Sequence, residues 1–434
     1  MKAVKIGICG LGTVGAGTFN LLSSNCEIIN AHANREIEVT LVGARRDNPV
    51  CDLSDTAVVR DIFAVANSDV DIVVELIGGI DVAKNLVLTA IANGKHVVTA
   101  NKALIAEYGN EIFAAARKQG VQVAYEAAVA GGIPIIKNLR EGLAANKIEW
   151  LAGIINGTGN FILTEMRDKG RDFAEVLAEA QALGYAEADP AFDVEGIDAA
   201  HKLVILAALA FGMPMRFDAV YTEGITGIEP VDVVYAEELG YRIKHLGIAR
   251  RREAGVELRV HPTLVPENCL IAQVDGVMNA VMVKGDAVGS TLYYGAGAGA
   301  GPTASAVVAD IIDVSRSLGV GAERAIPHYG FVDDVVADLP ILDINEAETA
   351  CYLRASVLDQ PGVLLVIAQI MSNHAISIEA IIQKPPDVGE EHVPLIMLTN
   401  QTSEKNLRGA IADIERLDTV KGPLVHIRVE ALDT

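Results

Sequence analysis

Lys202 lies in the stretch "DVEGIDAAHKLVILAALAF", one helical turn after Asp198, at the entrance of a helix that is apolar on nearly every face. Bringing an ammonium into such surroundings is costly unless it is paired or used. An aspartate four residues earlier shares its helix face. As an exposed pair the two would contribute only about 0.3–0.5 kcal/mol. In a pocket the same carboxylate can hold the ammonium for proton transfer, or to meet negative charge developing on an oxygen. A second chemical signal is the loop Gly10-Leu11-Gly12-Thr13-Val14-Gly15 after the apolar run "VKIGIC". The first glycine permits a tight turn, the second admits a pyrophosphate to the backbone, and the third lets a helix pack close to a strand. The helix N-terminus then faces the phosphates with amide donors and a favourable dipole.

Those residues need a frame, and the chain supplies one. After "VKIGIC" come "EVTLVGARR", "VDIVVELIGG", "KHVVTANKALIA" and "VQVAYEAAVAGGIPII", with helical stretches between them. Alternating β and α with short connections predicts a doubly wound parallel sheet of Rossmann type. Ligands gather at the C-terminal strand ends of such a sheet, which places Gly78, Thr99, Asn101, Lys102 and Glu126 on the active edge. The second strand ends in Ala44-Arg45-Arg46, where an NAD-preferring domain carries an acidic residue. An arginine there can pair with a 2′-phosphate, so Arg45 predicts NADP(H) preferred, with NAD(H) possible.

Beyond about residue 135 the alternation breaks. "NKIEWLAGIINGTGNFILTEMRDKG" reads as a strand, a polar turn over Asn156–Asn160 offering amides to a ligand, and a helix. "VELRVHPTLVP" and "AVMVKGDAVGSTLYYG" add strands. The alternating "GAGAGAG" before a helix near 302–318 reads as a mobile loop making close backbone approach to cofactor or substrate. Residues 331–349 are acidic and proline-interrupted, as in a linker. After them the elements run βαββαβ, with Asp359-Gln360-Pro361-Gly362 leading into the first helix. The element order divides the chain into an α/β domain over 1–134, a second domain over 135–330, the linker, and a terminal module over 350–434.

Composition closes off other classes. Thirty-five Lys and Arg against fifty-seven Asp and Glu give a net charge of −22, so no basic stripe exists for nucleic acid. Five scattered cysteines without a CxxC pair read as reduced thiols of the cytoplasm. The longest apolar run is too short for a bilayer. The start of the chain carries no secretory signal pattern.

Taken together, "GLGTVG", "TANKALIA", "YEAAVAGGIPII", "INGTGNFIL", "GYAEADPAFDVEGIDAAHKL" and "YYGAGAGAGPTASAVVADI" resemble the bacterial homoserine dehydrogenases from end to end. The resemblance implies reduction of L-aspartate 4-semialdehyde to L-homoserine with NAD(P)H, in the formation of threonine, methionine and isoleucine. It implies that the helix near 302–318 completes the Rossmann domain over 1–134 and that 135–330 is an α+β catalytic and dimerisation domain. It implies Lys202 as proton donor, Lys102 as a second lysine near the cofactor, and Asp198 holding the donor. Glu187 would bind the substrate ammonium, with Asp193 near it. Gly299 would touch the cofactor. Glu126 with the carbonyls of Val129, Gly131 and Ile133 would hold a monovalent cation, usually sodium. The terminal βαββαβ module resembles an ACT (ferredoxin-like) domain, which binds amino acids and pairs with its own copies. Feedback by threonine and a homo-oligomer, dimer or tetramer, follow as expectations.

Two other readings compete. A semialdehyde dehydrogenase forming an acyl phosphate needs an activated cysteine with a histidine base, and none of the five cysteines has that context. A nucleotide-binding amino-acid sensor without catalysis would have no use for a proton donor beside a hydride carrier.

Overall fold

The computed structural model describes residues 3–319, 326–332, 335–385 and 391–432. Residues 333–334 of the expected linker, 320–325 of the expected middle domain, and 386–390 and 433–434 of the terminal module lie outside it. The chain divides into two compact units, Met1–Gly157 with Asp198–Val220 and Val277–Leu339, and Thr158–Ile197 with Tyr221–Gly276 and Pro340–Thr434.

The first unit is built on six parallel strands: β1 (Val4–Cys9), β2 (Ile37–Gly43), β3 (Ala57–Val59), β4 (Ile72–Glu75), β5 (His96–Thr99) and β6 (Val123–Ala124). Their order is β3-β2-β1-β4-β5-β6, that of the doubly wound dinucleotide fold. β1, β4 and β5 are buried on both faces, which is why they read as continuous apolar runs and not as alternation. The helix Ala300–Ser317 joins this core through Val307, Ile311 and Val314, against Ile6, Ile8 and Val74. An antiparallel set, Ile148–Ile154, Met278–Gly285 and Gly289–Ala296, completes the unit.

In the second unit the long hairpin Tyr241–Arg251/Val256–Pro266 is antiparallel. Val425–Val429 pairs parallel to its second strand, and the sheet continues through Glu348–Leu358, His392–Thr399 and Ile378–Gln383, all antiparallel. The terminal module is thus βαββαβ with the sheet order fourth, first, third, second. Alternate residues of Glu348–Leu358 feed opposite faces. Tyr352 joins Leu264 and Ile427 on one, while Cys351, Leu353 and Val357 meet Ile367, Leu395 and Leu407 on the other.

Three readings of the sequence change here. The stretch 340–349 is not a passive linker: Val256 donates to the Pro340 carbonyl, Leu342 donates to Val256, and Glu404 donates to Ala347, because those backbone groups would otherwise be left without partners. The helix Ile197–Phe211 groups with the dinucleotide unit from Asp198 onward, not with the residues around it in sequence. The alternating glycine loop, expected to be mobile, is closely packed at its start, while residues 298–301 are exposed. Gly132 donates to Ala296, and a Cβ at Gly297 would lie 2.1 Å from the Asn279 side chain.

Candidate active site

Asp198 is the centre of a charged cluster inside the first unit. Its Oδ2 accepts from Lys202 Nζ at 2.7 Å and from Asn156 Nδ2 at 2.9 Å. Its Oδ1 faces Lys102 Nζ at 3.1 Å. Lys202 also donates to the Ile155 carbonyl at 2.6 Å. The side chain of Asp198 is 6% exposed, that of Lys202 12% and that of Lys102 34%. Burial by itself raises the Asp198 carboxyl, but the ammoniums of Lys202 and Lys102 outweigh it and hold the group at about 2. The carboxylate therefore stays charged at neutral pH and bridges the two lysines, one on each oxygen.

Each partner reaches the cluster from an element that positions it. Lys102 opens the helix Lys102–Gln119, whose N-cap Asn101 accepts from Leu104 through its side chain, as an asparagine at that position does. Asp198 and Lys202 sit in the first two turns of Ile197–Phe211. His201 beside Lys202 stacks on Phe217 with ring centres 4.0 Å apart. Its Nε2 lies 3.3 Å from Glu107 Oε1 on the Lys102 helix, so a second contact ties the two lysine-bearing helices together. Burial pulls the His201 imidazole below its usual range.

The nucleotide loop has the geometry its spacing implies. Gly10 adopts φ +100°, and a Cβ there would stand 2.5 Å from the Leu76 carbonyl. One at Gly15 would stand 2.0 Å from the Gly10 carbonyl, which is how close the helix Thr13–Ser24 lies to β1. Gly12, the N-cap of that helix, has nothing within 4 Å of its Cβ position. Leu11, Thr13 and Val14 complete the turn. This is a cradle with room at its middle, and it fits a dinucleotide pyrophosphate. Gly78 is exposed beyond β4, Thr99 is buried at the end of β5, and Arg45 is exposed just beyond β2. Gly299 is the N-cap of Ala300–Ser317, at φ +125°.

Glu126 accepts from the Ile136 and Lys137 amides at 2.9 and 2.8 Å. Burial lifts its carboxyl to about 7. Val129, Gly131 and Ile133 follow in a tight reversal with Ala130 and Gly131 at φ +53° and +45°. One buried carboxylate beside a run of backbone carbonyls is a donor set for a hard, oxygen-preferring cation. Among the described residues no group of three His, Cys, Asp or Glu side chains could hold a metal, so such an ion would depend on carbonyls. Glu187 and Asp193 belong to the second unit. Glu187 is exposed in the loop before the short helix Ala191–Val194, and Asp193, half-buried, lies within that helix.

Several groups take places that the local sequence does not mark. The residues 157–160, expected in a turn, form the first turn of the helix Gly157–Lys169. The Asn160 amide is spent on the Val274 and Gly276 carbonyls. Asn156, expected to face a ligand, holds Asp198. Glu75, a charged residue closing the otherwise apolar "IVVE", is fully buried. The Ile155 carbonyl and the His201–Glu107 contact have no local signature.

The family model for the homoserine dehydrogenase NAD-binding domain matches residues 10–126, and that for homoserine dehydrogenase matches 134–312. The homoserine dehydrogenase of Pseudomonas aeruginosa is 63% identical over the full length of both chains, and that of Neisseria gonorrhoeae 55%. The crystal structure of a homoserine dehydrogenase from Thiobacillus denitrificans superposes with a TM-score of 0.95 at 59% identity, covering 99% of each chain. A hyperthermophilic archaeal homoserine dehydrogenase in complex with NADPH matches 72% of this chain and 98% of its own, with TM-score 0.62 at 25% identity. With identity of this order over its whole length, and with a glycine cradle and a lysine–aspartate–lysine cluster in one unit, the chain belongs to the homoserine dehydrogenase family.

Proposed function

We propose that this homoserine dehydrogenase reduces L-aspartate 4-semialdehyde to L-homoserine with Lys202 as proton donor, NADP(H) as the preferred cofactor and NAD(H) as an alternative. The observation that carries the mechanism is the bridging of Lys202 and Lys102 by one buried, charged carboxylate. Bound at the glycine cradle, the dinucleotide supplies a hydride to the aldehyde carbon. The carbonyl oxygen then gathers negative charge and must be met by a proton. An ammonium has three donors. Lys202 gives one to Ile155 and one to Asp198, so its third can pass to the new alkoxide. The neutral amine regains a proton from solvent before the next turnover. Lys102, on the other oxygen of Asp198, adds positive charge to the same site.

Glu187 and Asp193 suit the substrate ammonium, because a zwitterionic amino acid needs a carboxylate partner. Glu126 with the Val129, Gly131 and Ile133 carbonyls suits sodium. The βαββαβ module is read as an ACT domain. Its cleft of about 460 Å³, lined by Asp359, Gln360, Gly362 and Gln383, suits an amino-acid effector, and threonine is the expected one. Leu364, Leu365 and Val366, at the start of the helix Val363–Asn373, are exposed apolar residues, which supports a homo-oligomer. No helix among the described residues is long and apolar enough to cross a membrane. With five free cysteines, a cytoplasmic enzyme of threonine, methionine and isoleucine formation is the consistent setting.

The deciding experiment follows NADPH absorbance with aspartate semialdehyde as substrate, with threonine added, and with sodium replaced by a bulky organic cation. Lys202→Ala should lower kcat by about 10²–10⁴, the range of a lost general acid, with NADPH affinity within about twofold. Near-normal turnover in that variant removes Lys202 from its role. Absence of turnover in the unaltered chain favours the sensor reading.

A further inference from the structure

Glu75 closes β4 and is fully buried. Core packing alone does not ask for a carboxylate there, since the rest of the strand is Ile72, Val73 and Val74. Its oxygens instead collect three donors. Oε1 accepts from the Ile77 amide at 2.9 Å and the Gly78 amide at 3.3 Å. Oε2 accepts from the Thr99 hydroxyl at 2.5 Å. Two acceptor oxygens on one side chain are found only in a carboxylate; glutamine offers one and valine none.

The chain of bonds does not stop there. Thr99 Oγ1 accepts from the Asn101 amide at 3.0 Å. The Asn101 side chain donates to the Gly79 carbonyl at 2.6 Å and accepts from Leu104 at 3.2 Å. Glu75, the turn Ile77–Gly79, Asn101 and Thr99 thus close a ring. The next residue after Asn101 is Lys102, at the head of its helix, and the ammonium of Lys102 meets Asp198 at 3.1 Å.

We infer that Glu75 is a positioning residue of the reaction: its carboxylate joins the turn after β4 to the N-cap of the Lys102 helix and so sets where the Lys102 ammonium stands against Asp198. The inference rests on the proposed role of Lys102. A buried carboxyl at this point is costly, and burial is the largest influence on it, raising it against the bonds from Thr99 and the two amides.

The test uses the full chain with Glu75→Gln, Lys102→Ala and the double variant, reading kcat, KM for both substrates and the thermal midpoint. Glu75→Gln should lower kcat by about tenfold or more, while each KM stays within about twofold. Its thermal midpoint should stay near that of the unaltered chain. Glu75→Asp, which keeps the acceptor-only carboxylate, should recover part of kcat. The double variant should be no slower than Lys102→Ala alone, since both act through one group. Unchanged kcat in Glu75→Gln, or a double variant slower by the full Glu75→Gln factor, overturns the inference and leaves the role of Lys102 standing. If Lys102→Ala itself keeps normal kcat, the proposed role of Lys102 falls and this inference falls with it. Should Glu75→Gln fail to fold, Thr99→Val cuts the same ring. It should show the same kcat loss, and unaltered turnover in it overturns the inference.

Discussion

At the scale of single residues, the decisive feature is that one carboxylate does the work of two. Asp198 is held at about 2 by its two lysines in spite of burial, so acid near pH 4 leaves it charged. Removing it would leave two ammoniums, one of them nearly enclosed, facing each other; breaking a buried pair in this way costs about 3–5 kcal/mol. Arg45 poses a different question. It stands exposed beyond the end of β2 with no acidic residue at the position where a ribose 2′-hydroxyl would be bound. Arg45→Ala should weaken NADPH by about tenfold, the scale of one charge-assisted contact, and NADH hardly at all. Titrating both cofactors by fluorescence quenching checks this, and equal loss for both would refute the 2′-phosphate assignment.

At the scale of elements, the terminal module is built into its neighbours. Val425–Val429 lies between Val256–Pro266 and Glu348–Leu358. Arg259, fully buried, pairs with Glu430 at 2.5 Å and Glu257 at 3.0 Å. Arg428 pairs with Glu404 at 2.6 Å and Glu223 at 2.7 Å. Deleting residues 350–434 would strip Glu430 from Arg259 and Arg428 from Glu223, and would open one edge of a central strand. The truncated chain should therefore be aggregated, or melt far below the intact one, when followed by circular dichroism. A soluble truncation with an unchanged melting point would show the module to be separable. For the same reason threonine control is better examined in the intact chain with Asp359→Ala, which alters the cleft without removing a strand. Threonine inhibition that survives unchanged in that variant would place the effector elsewhere.

At the scale of the whole molecule, the second unit carries groups that all respond to acid in one direction. Burial pulls His245 down to about 4, and His261 and His426 below their usual range. Burial raises Glu223, Glu404 and Glu430, but pairing with Arg428, and for Glu430 with Arg259 and Arg250, leaves them below the usual carboxylate range. Depressed histidines and depressed carboxylates both bind more protons when unfolded. Their stability is present above the unfolded values, about 6.5 and 4.3, and is lost as pH falls through that window toward the folded values. Hydrogen exchange corrected for intrinsic rate should show protection in Tyr241–Arg251 and Val256–Pro266 falling steadily from about pH 6.5 to 4.5. Constant protection across that range would contradict it. Trp150, the single tryptophan, lies in the first unit and reports on that unit separately.

Much of this protein is legible along the chain because its signals are local. Parallel strands buried on both faces announce themselves as apolar runs, the glycine spacing of residues 10–15 encodes a turn and a close packing distance, and βαββαβ follows from element order. Lys202 and Asp198 share a helix face by a four-residue interval, so their pairing could be read directly. What folding alone decides is everything that joins distant segments. Lys102 meets Asp198 across ninety-six positions, and Asn156 and Ile155 come to the same cluster from a third segment. Glu75 is fastened to Thr99 only because β4 and β5 are neighbours. The terminal strand becomes an inner strand of a larger sheet, which turns an apparently separate module into part of the second unit. Local periodicity reports which face of an element is buried. It carries no record of which partner buries it, because that choice is made by packing and by the need to satisfy each buried polar group.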